Sequence, residues 1–150
     1  MTNIKWTMIA GKFDPIHSGH IDHIKKAAAL GHPLLIVTHM DKVVAANSKK
    51  GYCCTTLADR VCLLQGYLNL RGIKGDVIMA ADEDGTVAKT ILYYMPTIFA
   101  KGGDRSPSNM PANEIAACRE VGCQIVYGIG DLKFSSSTIM QQEQEEGEKR

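Results

Sequence analysis

Short, continuously apolar runs that alternate with segments of helical period leave this chain few folds to choose from. The runs fall at residues 4–10, 34–38, 76–80, 97–100 and 124–128. Between them, Ile21, Ile24, Ala27 and Ala28 share a helical stripe that Gly31 would stop. Residues 56–70 space Leu57, Val61, Leu64 and Leu68 as a second helix, with Thr56 and Asp59 resembling a capping box at its start. Residues 86–94 and 112–121 supply two more, ended by Pro96 and Gly122. Strands apolar on both faces need helices on both sides, joined by right-handed crossovers. The pattern predicts a Rossmann-like three-layer α/β/α domain around a five-stranded parallel sheet, with ligands beyond the carboxyl ends of the strands.

A chain of 150 residues has the length of one ordinary domain, expected here over residues 1–142 with a polar tail at 143–150. Its 45% hydrophobic and 22% charged content is that of a globular protein. The net charge of +1 gives no global electrostatic case for nucleic acid as a partner. No apolar stretch approaches the ~20 residues of a membrane helix, and no signal-peptide pattern opens the chain, so no membrane partner and a cytoplasmic location are expected. Cys53, Cys54, Cys62, Cys118 and Cys123 contain no C-x-x-C, which argues against a disulfide scaffold or thiolate zinc site and leaves them expected as mostly buried or incidental.

Residues 11–20 read Gly-Lys-Phe-Asp-Pro-Ile-His-Ser-Gly-His and follow the first apolar run where helical spacing begins. Positions i and i+3 share a helix face, so His17 and His20 would meet one anion at the positive end of a helix dipole. Gly11 would let a ligand approach the backbone, and Pro15 would stiffen the turn. An H-x-x-H pair alone equally fits half a metal site or two solvated rings. A site joining His17, His20 and His23 is disfavoured because a helix turns His23 off the shared face. Neither a P-loop nor a G-x-G-x-x-G turn is present. Lys101-Gly102-Gly103-Asp104 follows the fourth run and so belongs at the same sheet edge, as a ligand-contacting loop or a plain turn. Ser135, Ser136 and Ser137 open a further helical segment, as a phosphate cradle or an ordinary N-cap.

The ten-residue segment resembles the G-x-F-D-x-x-H-x-G-H signature of the cytidylyltransferase-like nucleotidyltransferases. The K-G-G-D segment is similar to that of the heptose 1-phosphate adenylyltransferases, and to the related segment of glycerol-3-phosphate cytidylyltransferases. The serine cluster resembles the family's S-T-T motif. Where many cytidylyltransferases carry an arginine before that motif, this chain has Gly130, a departure shared with the heptose-type enzymes. The resemblance implies transfer of a nucleoside monophosphate from ATP or CTP to a phosphorylated sugar or polyol, releasing pyrophosphate. It implies Mg²⁺ carried with the triphosphate, no protein-held metal, and a homodimer. His17, His20 and Lys50 would be catalytic, with Lys49 as the rival lysine. Gly11, Lys12, Phe13, Asp14, Lys101 to Asp104 (Gly102 and Gly103 between them) and Ser135 to Ser137 would bind nucleotide. Arg60 and Arg105 would bind substrate. Phosphopantetheine-type or nicotinamide-mononucleotide-type adenylyl transfer, or a nucleotide sensor without turnover, are the alternatives.

Overall fold

The apolar runs form one parallel sheet in the computed structural model, which describes residues 4–130. In chain order the elements are β1 (Thr7–Ala10), α1 (Ser18–Ala28), β2 (Leu34–Thr38), α2 (Asp41–Ala46), α3 (Leu57–Arg71), β3 (Gly75–Met79), α4 (Ala88–Tyr94), β4 (Ile98–Ala100), α5 (Ala112–Val121) and β5 (Gln124–Val126). The five strands are all parallel, as the sequence pattern predicts, and their order is β3-β2-β1-β4-β5. The direction of winding reverses between β1 and β4, the crevice where such sheets bind ligands.

Alternation along each strand builds two cores. Ile9, Leu34, Ile36 and Ala100 pack with Ile24 and Ala27 of α1 and Leu64 and Leu68 of α3. Met8, Leu35, Val37 and Phe99 face the opposite way, against Ile91 of α4 and Ala117 and Cys118 of α5. Each fully buried Leu, Ile or Phe contributes about 1.5–3 kcal/mol of apolar burial, so both helical layers are held by packing.

Some boundaries differ from the sequence expectation. The first strand starts at Thr7 rather than residue 4, because its neighbours begin at Leu34 and Ile98, each just beyond a proline (Pro33, Pro96) that has no N–H for the ladder. The last strand stops at Val126 instead of residue 128, since its partner β4 ends at Ala100 and Gly128 turns the backbone with φ 74°. Helix α2 is an addition: six residues are too few for a periodic signal. Thr56 caps α3 by accepting from the Asp59 N–H, and Gly122 ends α5 in the left-handed region. Only Cys118 and Cys123 are buried, while Cys54 and Cys62 are exposed. Among the described residues no helix is long and apolar enough to cross a membrane. Ser135, Ser136, Ser137 and the tail at 143–150 lie outside the described residues.

Candidate active site

The loop after β1 delivers both histidines to the entrance of α1, where they cap the helix in a reciprocal way. His17 is the N-cap, and its Nδ1 accepts from the Gly19 N–H at 3.1 Å. His20, three residues on, accepts the His17 N–H at its own Nδ1, 3.2 Å away. Two backbone donors therefore occupy both Nδ1 atoms, so each neutral ring carries its proton on Nε2 as a donor. The rings stack with centroids 3.8 Å apart, and Phe13 backs His20 at 4.8 Å.

Burial, and less strongly the charges of His17 and His23, push the His20 pKa from its ordinary 6.5 down to about 3. The ring is thus a neutral donor throughout the physiological range. Between those two values the unfolded chain takes up a proton that the folded chain refuses, so stability rises with pH and is lost as pH falls below about 6.5. At about pH 5 the loss from His20 is about 2 kcal/mol. Burial lowers His17, His23 and His39 as well, in the same direction. Denaturant midpoints should fall between about pH 7.5 and 5 while the His20 ring resonances do not titrate. A His20 resonance that moves near pH 6.5 contradicts this placement.

His17, His20, Lys12, Lys49, Lys50 and Asp104 border one cavity of about 620 Å³ beyond the sheet's carboxyl edge. The H-x-G-H and K-G-G-D segments, 80 residues apart, thus meet as the sequence suggests. Lys50 Nζ lies 3.3 Å from Cys54 Sγ, and Lys12 Nζ donates to the Asn47 carbonyl at 2.6 Å. Gly102 to Arg105 form a turn closed by an Arg105 N–H bond to the Gly102 carbonyl, 3.1 Å.

Other predicted site residues have structural tasks as well. Phe13 is 1% exposed and its ring lies under His20, which it supports, while the residue borders the larger cavity as Asp14 does. Gly11 makes room for that ring, since a Cβ there would lie 3.3 Å from it. Asp14 accepts from the Cys54 N–H, the Thr55 N–H and the Thr55 hydroxyl at 2.6–2.8 Å, fixing the chain before α3. Burial alone would raise its pKa, but these donors outweigh it and hold the carboxyl below the usual range. Arg60, expected against substrate, is fully buried and spends its donors on Thr38, His39, Asp41, Cys53 and Thr55. Lys101 and Arg105 border a second cavity of about 310 Å³, and Lys12 lines both. Burial pushes the Lys101 pKa down against the opposing pull of Glu114, 3.8 Å away. His23 turns from the pair and bonds the Ile129 carbonyl. Gly130 lies against it with φ 129°, and a Cβ there would sit 3.2 Å from the His23 Cβ, so a side chain at that position would be strained.

Residues 8–142 match the family model described as cytidylyltransferase-like. The chain is 29% identical over 126 residues to the bifunctional protein HldE of Haemophilus ducreyi, covering 84% of this chain and 23% of that protein. With the HldE of Coxiella burnetii the identity is 33% over 107 residues, 71% of this chain and 21% of the relative. The chain therefore spans under a quarter of the length of these two curated relatives. Among solved structures, a lipopolysaccharide core biosynthesis protein from Thermoplasma volcanium superposes with a TM-score of 0.66 at 23% identity, covering 86% of this chain and 99% of that one. A bifunctional NMN adenylyltransferase/ADP ribose pyrophosphatase from Francisella tularensis gives 0.61 at 15% identity, over 93% of this chain and 42% of that one. Both likenesses concern the fold.

Proposed function

This chain belongs to the cytidylyltransferase-like family of nucleotidyltransferases, and on that premise we propose that it transfers a nucleoside monophosphate from ATP or CTP to a phosphorylated sugar or polyol. The observation that carries the reading is the stacked pair His17 and His20, whose Nδ1 atoms are held by backbone donors. Two neutral Nε2–H donors preorganised beside a helix N-terminus suit the oxygens of an α-phosphate under attack.

An acceptor phosphate is largely ionised near neutral pH, so it attacks the α-phosphorus in line without a general base and pyrophosphate leaves with no covalent intermediate. The protein's work is alignment and stabilisation of developing charge. Lys50, with Lys49 beside it, supplies positive charge for the outer phosphates, and Ser135 to Ser137 would join them. Lys12, which lines both cavities, would meet a phosphate there. For Mg²⁺ the donor set is sparse but sufficient: Asp14 is occupied by Cys54 and Thr55, and Asp104 offers a carboxylate at the cavity. An ion that keeps most of its waters and binds mainly through phosphate oxygens fits such a site, and would offset charge on the departing pyrophosphate. The protein acts as a homodimer in the cytoplasm, where nucleoside triphosphates are held.

A matrix of ATP and CTP against phosphorylated sugars, polyols, phosphopantetheine and nicotinamide mononucleotide, scored for pyrophosphate, tests the reading. Triphosphate binding without release on any acceptor would identify a sensor instead. Lys50→Ala should raise the Kd for triphosphate about tenfold or more, the worth of one charge-assisted hydrogen bond, with a weaker salt dependence. An unchanged Kd in Lys50→Ala together with a raised one in Lys49→Ala would transfer the role to Lys49.

A further inference from the structure

Lys101 carries an ammonium that the fold largely encloses and leaves without an acceptor. Its side chain is 11% exposed, and among the described residues its Nζ donates no hydrogen bond: Glu114 Oε1 lies 3.8 Å away, beyond donating distance, and the Phe99 ring backs it at 4.3 Å. An enclosed ammonium gives up hydration, and burial accordingly holds the Lys101 pKa below its ordinary 10.5. The side chain lines the 310 Å³ cavity. Lys12 and Arg105 line it too, the first donating to the Asn47 carbonyl at 2.6 Å and the second to the Asn109 carbonyl at 2.8 Å. Each keeps further donors, because an ammonium or a guanidinium carries several. Against these three cations the lining sets one carboxylate, Glu114, whose Oε2 is taken by the Val87 N–H, and one imidazole, His39, which burial keeps neutral. The excess is positive, and a concave wall of low dielectric concentrates its field.

We infer that the smaller cavity is an oxyanion site, with Lys101 as its principal ligand and Arg105 and Lys12 beside it, separate from the place of the triphosphate. His17, His20, Lys49 and Lys50 line the larger cavity and not the smaller one. An oxyanion at Nζ supplies the acceptor that the fold does not, through a charge-assisted bond roughly twice as strong as a neutral one. A volume of about 310 Å³ is at the lower limit of ligand cavities, so the ligand is a small molecule bearing a phosphate or a carboxylate. Its source is a free anion or an anionic group that the acceptor carries besides the phosphate that attacks. The site goes beyond nucleotidyl transfer and does not depend on it, since binding is read without turnover.

Calorimetry on the whole chain tests this, with the larger cavity first filled by a non-hydrolysable triphosphate. The probes are inorganic phosphate, glycerol 3-phosphate and 3-phosphoglycerate, the last bearing a carboxylate where glycerol 3-phosphate has a hydroxymethyl group. At least one should bind, and Lys101→Met should weaken that binding at least tenfold, a larger factor than it imposes on the triphosphate. Loss of Lys101 alone leaves the Glu114 carboxylate unpaired, so the double variant Lys101→Met/Glu114→Gln is measured beside it and should show the same loss. Equal, Lys101-dependent binding of all three probes identifies a free phosphate as sufficient. An advantage of 3-phosphoglycerate over glycerol 3-phosphate that Lys101→Met abolishes identifies a carboxylate carried by the acceptor. No probe bound, equal binding by wild type and both variants, or a loss confined to the triphosphate overturns the inference. Wild-type protein that binds a probe through Lys101 but takes up no triphosphate keeps the site and overturns instead the reading of nucleotidyl transfer.

Discussion

Replacing His20 with alanine is expected to lower turnover by about 10²–10³-fold while leaving a folded protein. That is the usual cost of removing one preorganised donor from a developing negative charge, about 2.7–4 kcal/mol of barrier. The donor is neutral, oriented by the His17 N–H at its other nitrogen, and braced by Phe13, so little reorganisation is needed when charge develops. Because a transition-state contact is lost, kcat should fall far more than triphosphate affinity.

The same substitution removes half of a helix cap, which costs about 0.5–2 kcal/mol and could mimic a functional loss if the protein unfolded. His20→Gln separates the two. A glutamine at the third helical position is a natural capping-box partner for the N-cap backbone, so stability should return. The amide does not place a donor where Nε2 stood, so turnover should stay at least tenfold below wild type. Full turnover in either variant, with pyrophosphate release near that of the wild type, rules out the role given to His20.

What the sequence made legible was whatever local pattern encodes. Continuous apolar runs announced strands, and a parallel sheet covered by helices on both faces followed because strands apolar on both sides admit few arrangements, although the strand order was not read. The histidine and K-G-G-D segments were visible because each is contiguous, and the sheet's carboxyl edge united them. Tasks that depend on distant partners were not legible. Glu114 looks like an ordinary acid in a first helical turn, and only the fold sets it opposite His39, 75 positions earlier. Phe13 and Asp14 stand inside the signature, yet one supports a ring and the other ties down residues 54–55. Helix α2 escaped notice because six residues show no period, although its buried Val43 and Val44 border the two cavities.

Arg60 shows the same limit most sharply, and its removal should give the largest loss of stability. An arginine within an amphipathic helix reads as solvated or ligand-facing, but this one has 0% exposure. Its Nε donates to Thr38 Oγ1 at 3.3 Å, Nη1 to Asp41 Oδ1 at 3.0 Å and to the Thr55 carbonyl, and Nη2 to the His39 carbonyl. One planar fork thereby joins the end of β2, the start of α2 and the chain entering α3, a geometry that lysine cannot reproduce. Arg60→Ala strands two carbonyls and opens a cavity, whereas Asp41, 48% exposed, can recover water. The expected cost is about 3 kcal/mol or more, a large share of a stability that is about 5–15 kcal/mol in ordinary domains. Arg60→Lys should fall between, keeping charge and stem but losing the fork. Since residues 49–55 are tied to this hub, triphosphate Kd should rise in both variants in step with the loss of denaturant midpoint. A normal midpoint in Arg60→Ala combined with abolished triphosphate binding would return Arg60 to direct contact with the ligand.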